Sequence, residues 1–141
     1  FNKVKIFKKM FSIIIPTYNN IDYLKLCLRS INNNSKHKHE IIIHINEGTD
    51  GTLDFIKNNK YKYTLSKNNI GLCSSVNTAA LNATTQFILY SHDDMYFCPG
   101  WDEALHYEIV NLKTNAYYFL GLICLTSLVP VIDFARYHSS A

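Results

Sequence analysis

The sequence predicts an α/β domain in which a mostly parallel sheet is flanked by helices. Short β-branched runs alternate with segments that carry apolar residues at helical spacing, and strands separated by helices form mostly parallel sheets. The first two runs, residues 11–15 and 41–45, are almost continuously apolar, which is typical of strands buried on both faces. The 141 residues suffice to bury a core, and 48% hydrophobic with 18% charged residues excludes intrinsic disorder.

The first half of the chain is predicted to contain these two strands, each followed by a helix. Residues 16–20 end the first strand, Asp22 is predicted to cap the next helix, and residues 32–35 end that helix. The apolar positions of this helix have helical spacing: Leu24, Cys27, Leu28 and Ile31. Residues 46–52 are turn-forming, and the apolar residues after them indicate a short second helix.

The second half is predicted to contain two more strands and two more helices. Residues 61–65 and 87–90 are the strands, a loop covers residues 66–71, and residues 101–112 form the last helix. The helix between the strands has a stripe of small residues that allows close packing on a sheet: Val76, Ala79, Ala80 and Ala83. We therefore expect a single domain over residues 1–141.

A strongly apolar run covers residues 117–132. It is interrupted by Gly121 and Pro130 and is shorter than the ~20 residues of a membrane span, so a buried strand with its loop is predicted. An uncovered run of this kind is an association surface, and a homo-oligomer through it is a further expectation. The expected location is cytoplasmic, with the membrane surface as the alternative.

Charge and cysteine content restrict the class of protein further. A net charge of +3 is too small for a dedicated nucleic-acid-binding protein. The four cysteines, Cys27, Cys73, Cys98 and Cys124, have no C-x-x-C spacing, so we expect buried free thiols in a reducing compartment. His44 is predicted to be a structural residue within a strand, and His37 and His39 to lie on a solvated basic loop.

Polar segments follow three of the predicted strands directly: residues 16–19, 46–48 and 92–94. In an open α/β sheet, ligands bind beyond the carboxyl ends of the strands, where parallel strands bring such segments together. Asp93 and Asp94 supply hard oxygen ligands for Mg²⁺ or Mn²⁺, although two of the seven Asp residues are also adjacent by chance in many chains. The coincidence of three polar strand ends predicts a ligand site at this edge.

Individual residues at this edge each have two interpretations. Glu47 can accept a hydrogen bond from a nucleobase N–H, or it can cap the helix near Thr52. Tyr18 can pack on a base, or it can be a half-buried packing aromatic. The remaining candidates either contact a ligand or stabilise turns and the local fold: Thr17, Asn19, Asn69, Gly71 and His92.

Taken together, these segments resemble the N-terminal half of family 2 glycosyltransferases, which have the GT-A fold, a Rossmann-like nucleotide-binding architecture. The resemblance covers about residues 10 to 112. Its matching pieces are Ser12-Ile13-Ile14-Ile15-Pro16-Thr17-Tyr18-Asn19, Glu40-Ile41-Ile42-Ile43, Asn46-Glu47-Gly48-Thr49-Asp50-Gly51-Thr52, Asn69-Ile70-Gly71 with Asn77, and His92-Asp93-Asp94 with Pro99. Two positions depart from the family pattern, since His92 and Asn46 stand where acidic residues are frequent.

The resemblance implies a site for a nucleoside-diphosphate sugar, a UDP-sugar being favoured, with Mn²⁺ or Mg²⁺. Asp94 is implied as the direct metal ligand, with Asp93 beside it, and Glu47 as the residue that holds the base. The other nucleotide-sugar-binding residues that it implies are Pro16, Thr17, Tyr18, Asn19, Gly48, Asn69, Gly71, Asn77, His92 and Asp93. The catalytic base and the acceptor site are implied to lie in a later half, so we expect a chain truncated before that half, with an unknown acceptor.

The function expected from the resemblance is inverting transfer of a sugar to an acceptor hydroxyl, with weak or absent transfer by this chain alone. A non-catalytic nucleotide-binding or interaction module is the first alternative, and a structural fragment that needs partners is another. A nucleotidyltransferase requires a glycine-rich, basic phosphate loop after the first strand, and residues 16–20 contain neither glycine nor Lys or Arg.

Overall fold

Four strands and four helices alternate along residues 9–111, the part of the chain that this computed structural model describes. They are β1 (Phe11–Tyr18), α1 (Ile21–Asn34), β2 (Glu40–Asn46), α2 (Thr52–Asn58), β3 (Lys62–Ser66), α3 (Leu72–Ala80), β4 (Phe87–Tyr90) and α4 (Trp101–Asn111). The strands form one parallel sheet in the order β3-β2-β1-β4, which confirms the predicted fold class. No helix within residues 9–111 is long and apolar enough to cross a membrane. The run at residues 117–132 and Cys124 lie outside the described residues.

The two faces of the sheet are covered unequally. On the face we call the three-helix face, Ile13 and Ile15 of β1 pack in one core cluster with Leu24 of α1, Ile56 of α2 and Trp101 of α4. On the opposite face, which we call the α3 face, Ile14 of β1 packs with residues from β2 and α3. The chain runs from β1 to β3 in one direction across the sheet and then back past β1 to β4. A right-handed connection from β3 to β4 therefore places α3 on the opposite face from α1 and α2.

The first strand extends further than the sequence indicates. Residues 16–20 were predicted to end it, but β1 continues through Pro16 to Tyr18, which pairs with Asn46. The backbone of Ile14 faces β4, since its carbonyl accepts a bond from Ser91, and Pro16 two residues later faces the same side. The β1–β4 pairing ends at Ile14, so the missing N–H of Pro16 removes no bond from the ladder.

His39 is not on a solvated loop, and that prediction was wrong. Its side chain is only 2% exposed, stacks on the ring of Phe11, and places Nε2 at 3.2 Å from Oδ2 of the buried Asp102. Burial lowers the pKa of His39 despite the nearby carboxylate, so the neutral imidazole donates its Nε2–H to Asp102. The rings of Phe11 and Trp101, distant in sequence, enclose this histidine. His37 is exposed and His44 is buried, as predicted.

The cysteines within the described residues are free thiols, as predicted, but they differ in burial. Cys27 is fully buried, and burial raises the pKa of its thiol to about 12. Cys73 and Cys98 are exposed, so the prediction of burial was wrong for both. Cys73 lies in the first turn of α3, and Cys98 lies in the loop before α4, where neither side chain faces a core cluster.

Glu40 anchors the amino end of the sheet on the α3 face. Only 5% exposed, it accepts hydrogen bonds from Ser12 Oγ at 2.6 Å, Thr84 N at 2.9 Å and Lys62 Nζ at 3.2 Å. Burial alone raises the pKa of this carboxyl, but the hydrogen bonds from Ser12, Thr84 and Lys62 outweigh burial and lower it to about 2. The ionised form of Glu40 therefore stabilises the folded state.

We predict that stability decreases in acid through Glu40. Because its pKa falls from 4.5 to about 2 on folding, its contribution is present above pH 4.5 and is lost as the pH falls towards 2. The contribution is on the order of 2–3 kcal/mol. Urea unfolding of Glu40→Gln should show lower stability at pH 7 and a flatter pH dependence below pH 5. Glu108→Gln is the matched control, because the carboxylate of Glu108 makes no hydrogen bond or ion pair with residues 9–111. Equal pH dependence of wild type and Glu40→Gln would contradict this assignment.

Candidate functional site

The carboxyl ends of the strands border a cleft of about 340 Å³, at the edge where the sequence predicts a ligand site. The cleft lies beside β1, where the strand order reverses between β2 on one side and β4 on the other, which is the usual ligand position in such sheets. Its lining residues come from three segments of the chain and from β2: Pro16, Thr17, Tyr18, Asn19, Asn20, Asn46, Asn69, Gly71, Leu72 and Asp93.

A hydrogen bond closes the crevice between β1 and the loop after β4. Thr17 Oγ1 donates to Asp93 Oδ2 at 2.7 Å, across 76 positions of sequence. Thr17 is buried and Asp93 is partly exposed, so the bond fixes one carboxylate oxygen of Asp93 at the cleft. Thr17 thus positions Asp93, a role that its turn-like sequence context does not indicate.

Asp94 and His92 flank Asp93 and do not line the cleft. Asp94 is exposed, and its carboxylate makes no hydrogen bond or ion pair with the described part of the chain. His92 is also exposed and lies with Nε2 at 2.9 Å from the hydroxyl of Tyr90. Burial, with Cys73 and both aspartates nearby, raises the pKa of Tyr90, so this hydroxyl is protonated at neutral pH. Within residues 9–111 no three His, Cys, Asp or Glu side chains form a metal cluster.

Tyr18 ends β1 and Glu47 directly follows β2, and both side chains are free to meet a ligand. Tyr18 is 49% exposed and lines the cleft, so it is not mainly a packing residue. Glu47 has a φ of 63°, and its backbone N–H donates to the carbonyl of Ser66. Its carboxylate has no partner among residues 9–111 and does not cap a helix, because Asp50 does so near Thr52. Glu47 and Gly48 lie outside the cleft lining, on the loop after β2.

Asp50 and Asn19 join the loops that carry Tyr18 and Glu47. The carboxylate of Asp50 accepts the backbone N–H of Ile21 at 2.9 Å and that of Thr52 at 3.1 Å, so it caps both α1 and α2. Asn19 Oδ1 accepts the backbone N–H of Thr49 at 2.9 Å. The prediction that Asp22 caps α1 was wrong, because the chain reverses after β2 and brings Asp50 to that helix end, while Asp22 lies in its first turn.

The opposite wall of the cleft is the loop that leads into α3. Asn69 Oδ1 accepts the backbone N–H of Gly71, and Gly71, at φ +79°, precedes the first residue of the helix. No side chain caps this helix start, so its first N–H groups are directed towards the cleft edge at Gly71 and Leu72. Asn77 is exposed further along α3 and does not line the cleft.

Three cleft residues were not among the predicted binding residues: Asn20, Asn46 and Leu72. Asn46 is the most informative of them, because it is only 4% exposed and hydrogen-bonded on both its amide atoms. The alternation of β2 contains the signal, since Ile42, His44 and Asn46 share the α3 face and a polar residue there needs partners. That signal identifies a buried polar residue but not its partners.

This arrangement, with polar strand ends around a cleft at the reversal of strand order, is typical of ligand sites in open α/β sheets. The sequence pattern of glycosyl transferase family 2 matches residues 12–120. The chain belongs to this family, and the predicted membership is confirmed.

Solved structures of S. aureus TarS are similar to this chain and support the GT-A-like fold. Residues 1–349 of TarS match with 27% identity and a TM-score of 0.61, over 72% of this chain and 32% of that one. The same fragment in complex with UDP-GlcNAc matches with 27% identity and a TM-score of 0.61, over 72% of this chain and 31% of that one. In complex with UDP it matches with 27% identity and a TM-score of 0.60, over 72% of this chain and 32% of that one. This chain therefore spans about a third of the length of these structures. No protein of curated function matches it in sequence.

We predict that Gly48 is required in the loop that carries Glu47. A Cβ at Gly48 would lie 2.7 Å from Ile45 Cγ2, and its φ of +73° is unfavourable for other residues. Gly100 also has a positive φ, +84°, but a Cβ there meets nothing within 4 Å. In urea unfolding, Gly100→Ala should cost about 1 kcal/mol and Gly48→Ala about 1–3 kcal/mol more. Equal costs for the two variants would show that the contact with Ile45 relaxes freely.

We also predict that Asp50 stabilises the fold through its two caps. Although burial raises the pKa of Asp50, its hydrogen bonds with Thr52 and Ile21 lower it, so the ionised form is the one that caps. Asp50→Ala should lower the free energy of unfolding by about 1–2 kcal/mol, and Asp50→Asn by less, because Asn also caps helices. Asp54→Ala, exposed in α2, is the control and should change stability little. If Asp50→Ala and Asp54→Ala are equally stable, the two caps made by Asp50 do not contribute to the stability of the fold.

Proposed function

We propose that this chain is the donor-binding part of a family 2 glycosyltransferase that binds a nucleoside-diphosphate sugar, with a UDP-sugar favoured. The cleft at the reversal of strand order carries the proposal, since it brings Thr17, Tyr18 and Asp93 to one place. TarS, similar over 72% of this chain, has been solved with UDP-GlcNAc and with UDP, which supports a uridine nucleotide.

The geometry supports the following roles for the residues at and beside the cleft. The exposed ring of Tyr18 packs on the base, and the unpartnered carboxylate of Glu47 accepts a base N–H. Asn19 acts through the loop bond to Thr49, with its Nδ2 left to donate to the nucleotide. Asn69 and Gly71 border the nucleotide at the start of α3. Glu47, Gly48 and His92 lie outside the cleft lining, so each contacts only a part of the ligand that extends beyond the edge of the cleft.

A divalent cation, Mn²⁺ or Mg²⁺, fits the charge of this site. Among the described residues that line the cleft, one is a carboxylate, Asp93, and none is Lys or Arg. A nucleoside diphosphate is strongly anionic, so it needs a positive charge that these side chains do not supply. Asp94, exposed and unpartnered, and the second oxygen of Asp93 would hold the ion, with water and phosphate completing its shell. Such an ion offsets charge on the departing diphosphate.

In the complete enzyme, we propose, an acceptor hydroxyl attacks the anomeric carbon of the donor sugar with inversion, and the nucleoside diphosphate leaves. The residues described here bind and orient the donor, and the general base is not assigned to any of them. Transfer by this chain alone is therefore weak or absent. Because the chain spans about a third of the TarS structures, a non-catalytic nucleotide-binding or interaction module is the second candidate function.

We predict metal-dependent binding of one nucleotide by the chain. Calorimetric and thermal-shift titrations with UDP, GDP, CDP and UDP-GlcNAc, each with Mn²⁺ and with EDTA, measure the dissociation constants. Binding of UDP should require Mn²⁺ and weaken at least tenfold in Asp94→Asn, because one metal ligand is lost. Asp22→Asn is the matched control, since Asp22 is exposed at the start of α1 and outside the cleft.

The outcomes separate the two candidate functions. UDP binding that is lost with EDTA and in Asp94→Asn supports the donor site. Nucleotide binding that is independent of metal and of Asp94 favours the non-catalytic module. A folded chain that binds no nucleotide rules out donor binding by these residues alone.

A further inference from the structure

Asn46 occupies the point where the floor and one wall of the cleft meet. It ends β2, is 4% exposed, and lines the cleft. Its Nδ2 donates to Ser75 Oγ at 3.0 Å and lies 3.4 Å from the carbonyl of Thr17. Its Oδ1 accepts the backbone N–H of Ile70 at 3.0 Å and the hydroxyl of Ser66 at 3.2 Å. One side chain therefore links β1, β3, the loop after β3 and α3.

The wall that these bonds hold has little other attachment to the sheet near the cleft. Asn69, Gly71 and Leu72 are all exposed, and the apolar contacts of α3 with the sheet lie further along the helix, around Ala79. The hydrogen bond from the backbone N–H of Ile70 to Oδ1 of Asn46 attaches the centre of this loop to the sheet. Loss of this bond frees the loop without removing any core contact.

We propose that Asn46 is a positioning residue that sets the cleft wall at residues 69–72 against the floor at Thr17, and that this position requires an amide. This inference rests on the proposed function, because the cleft is taken as the donor site. An amide both donates and accepts, and the four partners require both. An ionised carboxylate only accepts, so it leaves the Thr17 carbonyl facing a second acceptor.

Charge gives the same preference for an amide. The titratable groups around Asn46 are Asp93, bonded to Thr17, the adjacent Glu47, and His44 of the same strand. A further carboxylate there would be buried beside a site that binds an anion, and burial would raise its pKa. Its protonated form would again donate one hydrogen bond and accept others, which makes an Asp variant sensitive to pH.

His44, on the same strand and face as Asn46, extends this hydrogen-bond network. Its Nδ1 lies 2.7 Å from Thr64 Oγ1, its Nε2 lies 3.2 Å from Ser66 Oγ, and burial lowers its pKa. The neutral ring donates from Nε2 to Ser66, since the hydroxyl of Ser66 itself donates towards Asn46 or the carbonyl of Asn68. His44 thereby orients Ser66, whose hydroxyl lies 3.2 Å from the side-chain oxygen of Asn46.

The test compares Asn46→Asp and Asn46→Ala with wild type in the 141-residue chain. Asn58→Asp, at an exposed position at the end of α2 and outside the cleft, is the matched control. UDP with Mn²⁺ is titrated at pH 8 and at pH 5.5, and hydrogen exchange is measured at the amide of Ile70. All affinities are compared with wild type at the same pH.

We expect Asn46→Asp to bind UDP at least tenfold more weakly than wild type at pH 8 and to regain most of that loss at pH 5.5. Asn46→Ala should bind weakly at both pH values and lose exchange protection at residues 67–72, with β1 and β2 unchanged. Wild-type affinity of Asn46→Asp at pH 8 would overturn the proposal, as would an equal loss in Asn46→Asp and Asn46→Ala at both pH values.

A wild-type chain that fails to bind UDP refutes the proposed function and leaves the positioning role to the exchange experiment. Exchange loss confined to residues 67–72 in Asn46→Ala then supports that role. Exchange loss spread evenly over β1 and β2 shows a residue that contributes only to global stability and overturns it.

Discussion

The parallel pairing of β1 with β2 is the constraint on which the rest of the structure depends. Seven residue pairs join the two strands, from Ser12 with Glu40 to Tyr18 with Asn46, and both strands are buried on both faces. A shift of one residue would turn the three polar residues of β2 from the α3 face into the three-helix core. The register therefore decides both which isoleucines form the core and which polar groups reach the cleft.

The reversal of strand order places a cleft beside this pair of strands. The chain moves outward from β1 to β3 and then returns across the sheet to β4, so two loops of distant sequence end beside β1. Thr17 and Asp93 hydrogen-bond across that gap, because no strand among residues 9–111 pairs with β1 beyond Ile14 on the β4 side. The missing N–H of Pro16 lies at the same place, where the backbone ladder has already ended.

The sequence allowed prediction of every helix and strand in the described region, and of the edge where polar strand ends meet, because both depend on short-range periodicity. It did not reveal the pairings that cross large separations, such as His39 with Asp102 or Asp50 with Ile21. A polar side chain shows its type in the sequence, but its partner depends on the tertiary fold. Asp22 and Asp50 were equally suitable caps by type, and only the chain reversal after β2 selects Asp50.

The connection from β3 to β4 illustrates why such polar pairings matter here. α3 packs on the sheet through small residues, with Ala79 as its buried apolar contact, so hydrophobic burial holds it weakly. Glu40 binds the chain after α3 at Thr84, and Asn46 binds it before and within α3 at Ile70 and Ser75. Both anchors belong to β2, whose polar side chains on the α3 face are buried. The position of the cleft wall is thus set by hydrogen-bond geometry, which favours one arrangement and makes it sensitive to the loss of a single donor.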